Sequence, residues 1–321
     1  MERSNYEEIE ENHQERSGGF IKKFLVFLFF IFILVILSTY LFLPYRNIDF
    51  SASEEESNFT LDGNTSKMQF YQNMRYATKN ISYNIGNCMS EKERDARGAL
   101  EILENRTILS FYEDETNPEI KMRCNSSDLM KGDLFVAGEG GPSKIIKSGK
   151  FHIIEEGEIV LRRDSSCSEP KVALHEILHA LGFDHSENPN NIMYSVSACG
   201  LSLGKEIPKY INSLYEISPH PDLVLDSADG NVKGSRMSLN ISVKNEGLSS
   251  SKKNSTLKVV AGGDTIKEMS VQKISPGEGI KTQLRNIFIG NADVDSIKII
   301  VDYDLEEMNK NNNNITLDKQ F

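Results

Sequence analysis

The chain has 321 residues, enough for about two domains of ordinary size. Its 36 basic and 47 acidic residues give a formal net charge of −11, which argues against a nucleic-acid partner held through phosphate contacts. With 39% hydrophobic and 26% charged residues wholesale disorder is excluded too, yet seven of the 16 Phe fall between Phe20 and Phe42, so these averages describe a mixture.

Residues 1–23 are a short, Glu-rich stretch without apolar periodicity and are expected to form a disordered cytoplasmic tail. Residues 24–43, FLVFLFFIFILVILSTYLFL, then run for twenty positions without a charge. At 1.5 Å rise per residue a helix of that length spans about 30 Å, the thickness of a bilayer's hydrocarbon core. A cleaved signal peptide is the competing reading, but its apolar stretch is usually about 7–15 residues and exits on small residues. Here the run ends in Pro44-Tyr45-Arg46, and we read it as an uncleaved transmembrane signal anchor. Arg3, Arg16, Lys22 and Lys23 precede the run and only Arg46 follows it closely, which predicts a single-pass protein of the cell membrane with its N-terminus cytoplasmic.

The remainder is then extracellular. All four cysteines, Cys88, Cys124, Cys167 and Cys199, lie beyond the anchor, and an even number in an oxidising space suggests disulfides, with three pairings open. The Asn-x-Ser/Thr acceptors Asn58, Asn64, Asn80, Asn105, Asn125, Asn240, Asn254 and Asn314 lie on the same side. Residues 44–66 are polar, acidic and poor in large aliphatics, as a stalk would be.

From about residue 67 the pattern is mixed. Asn80–Ile85, Ile108–Tyr112 and Glu119–Cys124 read as strands, and Lys150–Ile154 with Glu158–Arg162 as a hairpin joined through Gly157. Glu91–Asn105 carries Ala96, Ala99, Leu100 and Leu103 at helical spacing. Glu169–Leu181 is a second helix, with Pro170 in its first turn and Gly182 just past its end, and a third is predicted from about Lys205 to Tyr215. After Pro219-His220-Pro221 the character changes: Met237–Val243, Thr256–Val260, Lys267–Val271, Gly279–Leu284 and Ser296–Val301 are short alternating runs between turn residues. They predict an antiparallel all-β sandwich over 222–317, following a domain at 67–218.

The chemistry is concentrated in His175-Glu176-Ile177-Leu178-His179-Ala180-Leu181-Gly182-Phe183-Asp184-His185, which holds three of the six histidines. Four residues apart on a helix, His175 and His179 project from one face and can share a metal ion. Glu176 can reach a water on that ion without displacing it. A left-handed residue at Gly182 stops the helix and lets His185 approach from below. Three neutral nitrogens leave one tetrahedral position open, the composition of a catalytic rather than a structural zinc site.

HExxHxxGxxH resembles the signature of the metzincin metallopeptidases, and HALGFDHS is most similar to their matrixin branch. Met193, in Asn190-Asn191-Ile192-Met193-Tyr194, fits the methionine turn that metzincins place beneath the zinc. Over residues 68–217 the resemblance implies an α+β (α/β) metzincin-type catalytic domain with a mixed sheet and three helices. It also implies peptide-bond hydrolysis with one catalytic Zn2+ on His175, His179 and His185 and with Glu176 as general base. By position, the edge strand that pairs with an extended substrate falls to the Phe151–Ile154 region, and Ser195–Ala198 would wall a specificity pocket. Cys167–Cys199 would staple the two halves of the site, and Cys88–Cys124 would join the ends of parallel neighbouring strands. With no cysteine before Cys88, no cysteine switch is expected, and His152 and His220 are too few for a second structural zinc.

Asn240–Gly247, Ile274–Gly277 and Val301–Asn314 resemble the CARDB family of cell-adhesion-related sandwiches, which implies a cell-surface ligand for this module. Its acidic, Asn-rich end is a candidate calcium ligand set or a solvated turn. The leading function is therefore a membrane-anchored zinc endopeptidase acting on a peptide or protein. The alternative is a surface adhesion or binding protein with an inactive metallopeptidase-like domain. Glu176 separates them, because a pseudoenzyme often loses its base.

Overall fold

The computed structural model describes residues 18–42, 47–49 and 68–318, less 128, 133, 163–166, 234–235 and 290–295. Contacts divide the chain at Arg46/Asn47 into two compact units. Of the first, the described part is one helix, α1 (Gly18–Phe42), whose apolar side chains from Phe24 to Ile36 are all exposed. Among the described residues no helix is long and apolar enough to cross a membrane, so the spanning segment expected at 24–43 rests on its sequence alone. Of the disordered tail expected at 1–23, residues 1–17 lie outside the described residues, while 18–23 are helical and continue into the apolar run as the start of α1. Most of the expected stalk also lies outside the described residues; only β1 (Asn47–Asp49) of it is described, paired antiparallel with Glu278–Ile280.

The second unit begins with a mixed sheet flanked by three helices. Its strands are β2 (Met74–Tyr76), β3 (Asn80–Gly86), β4 (Ser110–Glu113), β5 (Ile120–Cys124), β8 (Gly138–Ser148) and β9 (Phe151–Leu161). A two-stranded ribbon, β6 (Met130–Lys131) with β7 (Leu134–Phe135), precedes β8. β4, β3, β5 and β9 run parallel, as does β2 along the start of β9, while β8 is antiparallel to β9 over its whole length. The helices are α2 (Ser90–Arg106), α3 (Lys171–Ala180) and α4 (Glu206–Tyr215). α2 buries the Ala96, Ala99, Leu100 and Leu103 stripe and has Glu91 and Glu93 in its first turn and Arg106 in its last, which suits the helix dipole.

Two sequence expectations are corrected. The run read as a hairpin through Gly157 is one continuous strand, and the real turn lies at Gly149-Lys150, between β8 and β9. Gly157 instead makes room for the Tyr76 hydroxyl, which donates to Ala180 O at 3.1 Å; a Cβ on Gly157 would stand 2.5 Å from that oxygen. Phe151–Ile154 is not an edge: β8 flanks it on one side and β2 on the other, so its backbone is already paired. The edge next to β9 is β8, which among the described strands pairs with β9 alone.

The cysteines are joined as Cys88–Cys124 and Cys167–Cys199. The first follows from topology: β3 and β5 run parallel in register at Gly86 and Arg123, so their ends lie together, with the two Cα atoms 4.9 Å apart.

A fully buried arginine closes the domain. Arg75, on β2, is 0% exposed, and among the described residues its partners are backbone carbonyls and a ring. Its guanidinium donates to the Leu214 and Ile217 carbonyls at the end of α4 and to Ala77 O at 3.1 Å, and its Nε donates to Tyr76 O at 2.9 Å. Its Cζ lies 4.4 Å from the centre of the Tyr215 ring. A cation among the last carbonyls of a helix offsets their dipole, and a ring face adds to it.

The sandwich stacks two four-stranded antiparallel sheets. One orders β1, β14 (Glu278–Phe288), β11 (Arg236–Asn245) and β10 (Leu223–Lys233). The other orders β13 (Asp264–Val271), β12 (Ser255–Ala261), β15 (Ser296–Asp302) and β16 (Asn314–Asp318). Their inward positions, including Leu239, Ile241, Val243, Leu257, Val259, Ile299 and Val301, form a core separate from that of the first domain.

Replacing Arg75 by Met would orphan several buried carbonyls at once. Urea unfolding of Arg75→Met should show a loss of about 3 kcal/mol or more, and a loss below about 1 kcal/mol would mean that water takes over the guanidinium's partners.

Candidate metal centre

Helix α3 starts after Pro170 and ends in a left-handed turn. Gly182 has φ +95°, its N–H donates to His179 O at 2.9 Å, and the N–H of Phe183 reaches back to Leu178 O at 3.0 Å. This pair of bonds is a Schellman closure, and a left-handed C′ residue favours glycine. A Cβ here would also stand 2.6 Å from the Met74 side chain. Beyond the turn Phe183 is buried and the chain pairs with residues 68–70: Phe70 N–H donates to Gly182 O at 3.0 Å and Asp184 N–H to Met68 O at 2.6 Å. The Phe70 ring then stacks on His179, with ring centres 5.8 Å apart.

The turn brings three imidazoles together. Nε2 of His179 lies 3.0 Å from Nε2 of His175 and 3.3 Å from Nε2 of His185. Two ligands about 2.05 Å from a tetrahedral zinc lie about 3.3 Å apart, so this spacing fits one zinc ion. Hydrogen bonding agrees. His175 Nδ1 is 2.7 Å from Ile192 O, and His179 Nδ1 is 2.7 Å from Phe183 O. Each carbonyl can only accept, so Nδ1 carries the proton and Nε2 presents a bare lone pair. Burial pushes the His175 pKa down and that of His179 down to about 4, which keeps both neutral at ordinary pH. Lone pairs pointed at one another in this way call for a cation, and among the described residues this is the one cluster of its kind.

Glu176, one residue from the first histidine, is 6% exposed. Burial, helped by the nearby charge of Glu139, pushes its pKa up to about 8. Its side chain lies against the start of β8: a Cβ on Gly138 would come within 2.9 Å of its carboxyl carbon, and one on Gly140 within 2.4 Å of its backbone oxygen. Glu139 is held outward by Arg162 through contacts of 2.6 and 3.0 Å.

Met193 is fully buried, its N–H donating to the Asn191 side chain at 2.8 Å and its carbonyl accepting the N–H of Ser186, next to His185, at 2.8 Å. The same turn supplies Ile192 O to His175. Cys167–Cys199 spans from the approach to α3 to the chain beyond this turn. Sequence reasoning passed over Phe70, Gly138 and Gly140. The run Gly138-Glu139-Gly140-Gly141 carried the available signal, since glycines crowded into a strand mark close backbone approach.

The family model described as Matrixin matches residues 71–215, and the model described as CARDB matches residues 220–317. The chain therefore carries a matrixin domain, a metallopeptidase domain at family level, followed by a CARDB domain. No curated protein matches the chain. Among solved structures it is similar to the crystal structure of a CARDB domain from Pyrococcus furiosus in complex with di-metal ions, at 23% identity over 31% of this chain and 86% of that one, TM-score 0.27. A solution NMR structure of a Methanosarcina acetivorans domain, described as from a cell surface protein, is similar at 19% identity over 30% of this chain and 88% of that one, TM-score 0.26.

Gly182→Ala should uncouple the third histidine from the other two. Left-handed strain alone costs about 1–2 kcal/mol, and the Met74 contact adds to it. Competition with a chelator should show weaker zinc retention in the variant, and retention equal to the parent's would show that another route delivers His185.

Proposed function

We propose that this chain is a zinc-dependent endopeptidase, with His175, His179 and His185 holding the metal and Glu176 acting as general base. One observation carries the reading: three imidazole nitrogens, two of them held in the tautomer that bares Nε2, converge in a domain that matches the matrixin model and that also buries the carboxyl group of Glu176. Zinc, when bound, supplies a Lewis acid that polarises a peptide carbonyl and makes water nucleophilic near neutral pH.

The remaining work falls to the chain's own groups. Glu176 takes a proton from the attacking water and passes it to the departing amine. Ile192 O and Phe183 O hold two imidazoles in the ligating tautomer, and Met193 anchors the turn beneath. An extended polypeptide pairs with the outer edge of β8 along Gly138–Gly141. Pro142 has no N–H to offer, and the register of β8 slips just after it, so regular pairing stops there. Ser195–Ala198 form the wall of the side-chain pocket, and Val196 presents an exposed apolar surface.

The proposal extends to location. Residues 24–43 act as an uncleaved signal anchor, and the two folded domains, the sandwich with β1 at its edge, face the outside of the cell, where the sandwich meets a surface ligand. Support comes from the twenty-residue uncharged run, the basic residues before it and the two disulfides. The acceptor asparagines at 80, 105, 125, 240, 254 and 314 are all exposed, as glycosylation would require.

The full chain loaded with zinc should cleave members of a mixed peptide library. Glu176→Gln should keep its zinc and lose on the order of 10²–10⁴-fold in rate; a folded, zinc-loaded parent that cleaves nothing would instead favour the binding-protein reading. N-terminal sequencing of the protein recovered from cell membranes should begin ahead of residue 24, and a start shortly after Leu43 would replace the anchor with a cleaved leader.

A further inference from the structure

Strand β8 has one end at Glu176 and the other in the sandwich. Its first residues, Gly138-Glu139-Gly140-Gly141, are flexible by composition and have a strand neighbour on one side only. Midway, between Pro142 and Ile145, the register against β9 slips twice. Pairing with β9 holds such a strand along one side, and what grips its two ends helps to set where its free edge lies. At the site end the grip is the Glu139–Arg162 pair and the close approach to α3.

At the far end the tip of the β8–β9 hairpin is lodged in the CARDB domain. Ser148 is 0% exposed. Its hydroxyl donates to Gly247 O at 2.6 Å, with Asn245 O at 3.2 Å, and accepts the N–H of Gly277 at 3.1 Å. Gly277, at φ +75°, lets the two backbones meet: a Cβ there would stand 2.4 Å from Lys147 O. Asn245, also 0% exposed, fixes the receiving loops by accepting the N–H groups of Asp222 and Gly247 at 3.0 Å and donating to Ser249 O and Ile274 O. Beneath the tip, Phe151 and Ile153 of β9 bury against Leu248 of the sandwich. Asn245, Gly247 and Gly277 belong to the segments Asn240–Gly247 and Ile274–Gly277 that carry the CARDB resemblance, so that module's turns form the socket.

We infer that the CARDB domain is a positioning element of the peptidase site, holding the far end of β8 through Ser148 and thereby fixing the edge on which an extended substrate pairs. The inference rests on the reading of β8 as the substrate edge. Ser148 touches no substrate; it acts through the strand.

The test uses the full zinc-loaded chain with Ser148→Ala and, from the sandwich side, Gly277→Ala, which alters no peptidase residue. Amide hydrogen exchange along β8 should rise about tenfold or more while α3 keeps its protection. A peptidyl hydroxamate long enough to lie along Gly138–Gly141 should bind about five- to tenfold more weakly, whereas acetohydroxamate, which reaches only the metal, should bind as before. Variants that fold and keep parental exchange along β8 and parental affinity for the peptidyl probe would overturn the inference. A parent that binds neither hydroxamate would overturn the zinc-site reading itself, and exchange along β8 would then decide by itself whether the sandwich holds the strand.

Discussion

Everything at the metal centre depends on the left-handed turn at Gly182. A straight continuation of α3 would carry His185 about 9 Å along the axis from His179, far beyond reach of a shared ion. The Schellman closure stops the helix within one residue and commits Phe183 to the core, and the segment 68–70 then clamps the returning chain from outside. The third imidazole is thus placed by backbone hydrogen bonds and packing, without any bond to the ion. The same holds for the other two, whose tautomers are set by Ile192 O and Phe183 O. The site is preorganised, so little conformational entropy remains to be lost when a cation enters.

That preorganisation has a cost in stability. Burying Glu176 and crowding the imidazole nitrogens of His175, His179 and His185 together are both unfavourable in the protein alone, and the surroundings offset them. The offsetting structure is visible: a disulfide that joins the chain ahead of α3 to the chain beyond the Met193 turn, a hydrophobic core reaching Leu174, Ile177 and Leu178 of α3, and Tyr76 bonded to the end of that helix. The strain falls on groups that the proposed chemistry uses, and the compensation falls on groups that it does not.

Much of this was legible in the sequence, for identifiable reasons. The α2 stripe, the Gly182 stop and the His-Glu-His spacing are local patterns, and the Met193 turn follows within a few residues of His185. What escaped was set by long-range geometry. The strand β8 (GEGGPSKIIKS) has neither alternation nor β-branched enrichment in its first half, where Gly138 and Gly140 make room for α3 at Glu176. Gly157 looked like a turn residue, yet its space is occupied by Tyr76, which is distant in sequence. The sheet edge was therefore read one strand too far in. In the sandwich, β10 and β16 passed unnoticed because polar and turn-forming residues interrupt their patterns, and their neighbours supply the register.

Arg75 has a further consequence, for the order of events during synthesis. It sits on β2, among the first structured residues of the matrixin domain, yet its partners Leu214 and Ile217 are about 140 positions downstream. Until those carbonyls emerge, a guanidinium destined for a dry interior has only the adjacent Tyr76 and Ala77 carbonyls to accept from it, so β2 settles beside β9 at a cost in unmet hydrogen bonds. A ribosome that has released α3 has therefore not yet released every bond that closes the domain around it. A chain stalled before residue 217 would carry His175, His179 and His185 on a frame that still lacks the Arg75 bonds to Leu214 and Ile217.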